Sequence, residues 1–206
     1  MLFGTQLLIG FSLILERFTN PKDETSNKKD ISYIAPPLLN PMPSATNSAS
    51  VNISGFSLSD RTVKLYVNGE LIDETDVDDK KSFLFQDIAL EEGENEIKAK
   101  SVSKEDKESE YSDPIKISYI SKAPTLDVEA PADGQTFQKD QDKLQVTGRT
   151  DPGIKITVND FWAMVNDEGR FSYTVRLQDG ENRIKIIATD NAGNKTEKEL
   201  KVTYSP

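Results

Sequence analysis

Beyond residue 50 the chain alternates apolar and polar positions with period two in short, punctuated runs. The first half shows Val51-Ile53-Gly55, Val63-Leu65-Val67, Phe83-Phe85, Ile97-Ala99 and Ile115-Ile117-Tyr119. The second half shows Leu144-Val146-Gly148, Ile154-Ile156-Val158, Phe171-Tyr173-Val175, Ile184-Ile186-Ala188 and Leu200-Val202-Tyr204. Successive side chains of a strand point to opposite faces, so each run predicts a strand with one buried face. No stretch outside the N-terminal segment has helical periodicity, and Gly, Pro, Asn and Asp interrupt the pattern at short intervals. Short antiparallel strands at this spacing predict an all-β fold, in which the inward residues of two sheets make a core about 10 Å thick.

The pattern repeats. Leu90-Glu91-Glu92-Gly93-Glu94-Asn95-Glu96-Ile97 returns 87 residues later as Leu177-Gln178-Asp179-Gly180-Glu181-Asn182-Arg183-Ile184. Each copy is a polar turn between two apolar runs, with Gly93 or Gly180 supplying positive φ and Asn95 or Asn182 able to bond nearby main chain through its amide. These four residues are the expected structural corners. A length of 206 residues accommodates two units of this size. The repeat places one over residues 36–121 and the other over 122–206.

The copies differ in their loops. Between Asn68 and Phe83 the first has three more residues than the second has between Asn159 and Phe171. The first also carries a charged loop, Lys104-Glu105-Asp106-Lys107-Glu108, where the second has Asp190-Asn191-Ala192-Gly193-Asn194. Ile31-Ser32-Tyr33-Ile34 before Ala35-Pro36 matches Ile117-Ser118-Tyr119-Ile120 before Ala123-Pro124, which predicts a similar proline-stiffened joint ahead of each unit.

Ahead of the repeats, Leu2 to Leu15 is uncharged and mostly apolar. The run is shorter than the roughly 20 residues a spanning helix needs, and it has neither a basic flank nor a small-residue cleavage site. Residues 1–18 are therefore read as an N-terminal apolar helix, the outer part of a membrane anchor or signal segment, against the alternative of a buried apolar helix or strand. Residues 19–35, beginning with the polar stretch Thr19 to Asp30, are expected to form a flexible tether.

The second repeat is specific enough to place. Pro131 through Gly148, Val158-Asn159-Asp160, Asp167-Glu168-Gly169-Arg170-Phe171, the Leu177–Ile184 corner and Ala188-Thr189-Asp190-Asn191-Ala192-Gly193-Asn194 together resemble the bacterial immunoglobulin-like domains related to the B domain of glucodextranase. The first repeat resembles the same family more loosely, lacking the Asp-x-x-Gly-Asn turn. The resemblance implies two tandem immunoglobulin-like β-sandwich domains of an extracytoplasmic protein, serving as a spacer, an adhesin or an accessory to carbohydrate-active enzymes. It brings no catalytic residues with it.

Composition narrows the chemistry. The chain has 35 acidic and 25 basic residues and a net charge of −10, so its surface repels phosphate and nucleic acid is not an expected partner. Residues 36–122 carry 17 acids against 10 bases and residues 123–206 carry 14 against 11, which makes the first repeat the strongly acidic one. With no Cys and no His, thiol nucleophiles, imidazole bases and zinc sites of the usual ligand types are excluded. No catalytic residue, cofactor or metal is expected. The acids from Asp73 to Asp79 lack the spacing and glycine of a calcium loop, and turn chemistry explains Asp190, Asn191 and Asn194. The sequons at Asn52 and Asn194 are read as chance.

Trp162 is the exception to this plain surface. Counting from Asn159, Ala163 and Val165 take the inward parity, leaving Trp162 and Met164 outward as a candidate interaction patch. The competing reading is a cover over an edge strand or over the joint near Tyr119. The expected function is a non-enzymatic cell-surface spacer or protein-interaction module tethered to the membrane through the N-terminal segment. The alternative is a carbohydrate-binding accessory module, so the expected partner is a protein or a cell-surface glycan.

Overall fold

In the computed structural model of the protein, residues 33–58 and 60–206 are described. The apolar segment expected at 1–18 and nearly all of the expected tether lie outside them. No helix among the described residues is long and apolar enough to cross a membrane.

Among the described residues seventeen strands make four sheets. The first sandwich is built from β1 (Leu38–Leu39), β2 (Ala45–Thr46), β3 (Ser50–Phe56), β4 (Thr62–Val67), β5 (Glu70–Asp76), β6 (Ser82–Ala89), β7 (Gly93–Val102) and β8 (Ile115–Tyr119). One sheet has the order β1-β3-β6 and the other β2-β8-β7-β4-β5. The second sandwich comprises β9 (Leu126–Ala130), β10 (Thr136–Gln138), β11 (Lys143–Thr150), β12 (Lys155–Val158), β13 (Phe161–Trp162), β14 (Met164–Val165), β15 (Arg170–Arg176), β16 (Gly180–Thr189) and β17 (Lys195–Ser205). Its sheets are β14-β15-β11-β9 and β10-β17-β16-β12-β13. In both, the opening strand divides between the two sheets. Its second piece lies parallel to the last strand, as β2 does on β8 and β10 on β17.

Period two does what it should. Val63, Leu65, Ile97, Ala99 and Ile117 are fully buried in the first core, as are Val146, Ile156, Val158, Ile184, Ile186 and Ala188 in the second. The two cores share no residue. The repeats nevertheless pair in different registers: Val67 stands opposite Ile97, two residues beyond Asn95, whereas Val158 stands opposite Ile186, four beyond Asn182. A shift by two keeps every inward residue inward, while a shift by one would turn the set out.

Each sandwich also has a glycine at an inward position under a phenylalanine of the neighbouring strand. Gly55 pairs with Phe83 and Gly148 with Phe171. A Cβ on Gly148 would come within 2.1 Å of the Asp127 carbonyl oxygen and 2.6 Å of the Phe171 ring, and one on Gly55 within 2.3 Å of the Leu38 oxygen and 2.5 Å of the Phe83 ring. These glycines let a phenyl ring and a neighbouring strand close onto bare backbone.

Two substitutions in the second sandwich separate steric from conformational demands. Gly148→Ala should lower its stability by about 1–3 kcal/mol through overpacking alone. Gly180→Val should cost about 1–2 kcal/mol through its φ of 88° alone, since nothing lies within 4 Å of a Cβ there. Thermal melting should show both losses; an unchanged melt for either would mean that its stated cause is absent.

Candidate functional site

The corners hold as one device used twice. The Asn95 amide accepts from Glu91 N–H at 2.9 Å and donates to the Glu91 and Gly93 carbonyls at 2.8 and 3.1 Å. Asn182 accepts from Gln178 N–H at 2.8 Å and donates to the Gln178 and Gly180 carbonyls at 2.7 and 3.0 Å. Gly93 and Gly180 have φ of 97° and 88°. Asn95 is fully buried, and its oxygen takes a further bond from Asn68 Nδ2 at 3.3 Å. Asn68 and Asn159, both at positive φ, accept from the N–H groups of Glu96 and Lys185.

A second cluster covers the outer face of the first sandwich. Glu108 accepts from Lys64 at 2.8 Å and from Lys100 at 3.1 Å. The Lys100 ammonium sits 4.5 Å from the centre of the Tyr111 ring, which meets Tyr66 edge-on at 5.1 Å. The loop carrying these groups replaces part of a strand. Past Ile97, β7 loses β8, and Ser109 and Ser112 take over: their hydroxyls accept from Ser101 and Ala99 N–H, and their own N–H groups donate to the Ser101 and Ala99 carbonyls. Hydrogen bonds from Lys64 and then Lys100 hold the Glu108 carboxyl below its ordinary value, and Glu108 raises both lysines.

The Asp190–Asn194 turn closes on the joint between the sandwiches. Asp190 accepts from the N–H groups of Ala192 and Asn194 at 2.9 Å each and from Asn194 Nδ2 at 2.8 Å. Asn194 Nδ2 also donates to the Ile120 carbonyl at 2.8 Å, and Thr196 Oγ1 donates to the Pro124 carbonyl. From the other side, Ser121 N–H donates to Glu92 at 3.3 Å. The acids from Asp73 to Asp79 are spread along β5 and the turn after it. Among the described residues no group of three or more His, Cys, Asp or Glu side chains converges as a metal requires.

Trp162 and Met164 are exposed, at 67% and 82%, but they do not form one face. Trp162 pairs with Thr157 at the edge of one sheet, while Met164 pairs with Ser172 at the edge of the other. The chain crosses between sheets at Ala163, so outward parity carried over from Asn159 points to opposite sides of the sandwich. Phe161, absent from the sequence reading, lies opposite the buried Val158 and stacks on Tyr173 of the facing sheet at 6.3 Å and 9°. Phe161 is nevertheless 64% exposed, so the stack lies at the open rim of the sandwich. Its only sequence signal is an aromatic at inward parity immediately after a turn.

The comparisons with known proteins agree with this geometry. Residues 124–205 match the family model described as "Glucodextranase, domain B". This chain carries tandem immunoglobulin-like domains that resemble the glucodextranase B-domain family. The fold is shared with the fibronectin(III)-like modules of Clostridium thermocellum CbhA, at a TM-score of 0.53 and 17% identity over 82% of this chain and 95% of that one. Among curated proteins, Bacillopeptidase F of Bacillus subtilis (strain 168) is 36% identical over 157 residues, 75% of this chain. The chain spans 11% of the length of that relative.

Two outcomes follow for these immunoglobulin-like domains. Trp162→Ala should leave the melting of the second domain within about 0.5 kcal/mol of wild type, as for an exposed side chain; a loss several times larger would mean that the indole seals the edge. Glu108→Gln should lower first-domain stability at neutral pH. Because the folded Glu108 pKa is depressed, its contribution is complete above the ordinary glutamate value and disappears as pH falls through the lowered one. The gap between wild type and variant should therefore close in acid, and a pH-independent gap would reject the ion-pair account.

Proposed function

We propose that this tandem pair is a non-enzymatic spacer and protein-interaction module of an extracytoplasmic protein, tethered to the membrane through its N-terminal segment. The observation that carries the reading is the joint. Its main chain is hydrogen-bonded from the first domain through Glu92 and from the second through Asn194 and Thr196, which suits a segment that fixes the spacing of what it connects. Each domain fills its interior with its own apolar side chains, and the surface grooves are open ones. A match to a short section of a much longer relative, a peptidase by its name, fits a module that accompanies other machinery. Trp162 is the residue offered to a partner, because a large exposed aromatic is the side chain most able to dominate an interface.

The glycan-binding alternative is supported by the exposed Trp162 but not by its neighbours. Phe161 is also exposed, but it lies on the opposite face of β13 from Trp162 and stacks on Tyr173, and Met164 lies on the other sheet, so these side chains do not form one aromatic row with Trp162. A glycan screen of residues 31–206 separates the two readings, since Trp162-dependent retention of an oligosaccharide would favour the accessory module.

The joint supplies the direct test. Lys122 lies inside it, and trypsin cutting there reports how often the segment opens. Asn194→Ala should raise cleavage after Lys122 several-fold with both domains still folded. Cleavage at the wild-type rate would show that the joint is not held by Asn194 and would remove the main support for the spacer.

A further inference from the structure

The two domains differ at one sheet edge, and the second shows what the first is missing. Phe171 and Phe83 are equivalent through their paired glycines, which makes Ser172 equivalent to Leu84. In the second domain Met164 and Val165 run antiparallel along β15, opposite Ser172 and Phe171, and Asn166 N–H donates to the Arg170 carbonyl while Arg170 N–H donates to Asn166 Oδ1. The first domain reproduces the end of this arrangement. Asp78 N–H donates to the Ser82 carbonyl at 2.9 Å, and Ser82 N–H donates to Asp78 Oδ1 at 2.8 Å. There the likeness stops.

Asp76 holds the sequence position of Met164, but it pairs with Thr62, and the whole of β5 lies along β4 in the other sheet. Among the described residues no strand covers the outer side of β6. Ser57 N–H donates to the Lys81 carbonyl, so Lys81, Phe83 and Phe85 direct their main-chain groups toward β3. Alternation then turns those of Leu84 and Gln86 to the open edge, and at Asp87 the N–H is taken by Asn52. The free edge is thus four main-chain groups long. Beside it lies a groove of about 310 Å³ lined by Phe56, Leu84, Ser54, Asp76 and Asp78, with Leu38, Phe56 and Leu84 forming an exposed apolar trio on that face.

We propose that the open edge of β6 at Leu84 and Gln86 binds a short extended peptide segment of another protein by strand addition, the segment carrying an apolar side chain flanked by lysine or arginine. In the second domain the equivalent edge takes an antiparallel strand, and in the first the exposed Leu84, at the position where Ser172 faces Met164, offers an apolar contact to the outward residue of an added strand. Charge selects the flanks. Residues 70–89 hold seven acids, Asp76 and Asp78 among them at the groove, against Lys80 and Lys81 in the turn. A second copy of this chain would bring the same acids against them, and an acidic peptide would fare no better. The assignment rests on the interaction-module reading, and its failure would leave the spacer role and the Asn194 result untouched.

The test uses the intact chain, isotope-labelled, with a capped Lys-Thr-Met-Val-Thr-Lys peptide at about 1 mM, a concentration suited to a small contact. Amide exchange at Leu84 and Gln86 should slow on addition, while their counterparts elsewhere on β6 stay as they were. The same peptide N-methylated at Met and Val should lose this effect, and one with both lysines replaced by glutamate should bind at least roughly tenfold more weakly. Gln86→Pro, which removes one outward donor, should abolish protection; the peptide variants keep the question open to refutation if that substitution unfolds the domain. No response at Leu84 and Gln86, or equal binding of the N-methylated peptide, would overturn the proposal. Protection of both amides that grows with protein concentration in the absence of peptide would overturn it in favour of a second copy.

Discussion

Where the chain leaves one sheet of a sandwich for the other, main-chain groups lose their ladder partners, and buried polar groups without partners are costly. In each domain a single asparagine amide takes their place, satisfying one N–H and two carbonyls within four residues. The crossing from β6 to β7 and from β15 to β16 depends on it, and so does the depth at which the next strand enters the core. Asn95 can be fully buried because its oxygen and both its hydrogens are engaged. The glycine two residues earlier supplies the left-handed turn that brings the amide back over its own chain.

With the corner held, the rest of each domain can vary, provided that parity is kept. The two-residue difference in register between Val67–Ile97 and Val158–Ile186 is a variation of this kind. Loss of the β7 to β8 ladder beyond Ile97 is another, since Ser109 and Ser112 replace the missing strand with hydroxyls and N–H groups. The three extra residues between Asn68 and Phe83 go into a longer β5 and not into a cover for β6. Core and corner are common to both domains; the edges and loops are where they diverge.

This division also describes what the sequence made legible. Period-two runs predicted the long strands, and the repeated Gly-x-Asn phrase predicted the corners, because both signals are local. The parity of Trp162 correctly implied exposure. Its grouping with Met164 failed because a residue count cannot see that the chain changes sheets at Ala163, after which outward means the other side. The Phe161–Tyr173 stack, the serine-built ladder and the hold of Asn194 on Ile120 were not readable for the same reason: each depends on the path of the chain between the residues it joins, through geometry that no periodicity encodes. The uncovered edge of β6 is equally invisible in the sequence, because Asp76 and Met164 hold the same position in the two repeats and yet pair in different sheets.

The parallel seating of each opening strand on each closing strand has a mechanical consequence. A chain pulled from both ends delivers its load to the first and last strands of a domain, here β2 against β8 and β10 against β17. Because those strands run in the same direction, tension slides them past one another and strains their hydrogen bonds together, where an antiparallel pair loaded from one end would unzip bond by bond. In the second domain the contact spans Thr136–Gln138 on Thr203–Ser205. The few bonds that look like a ragged edge at rest are the ones that resist force.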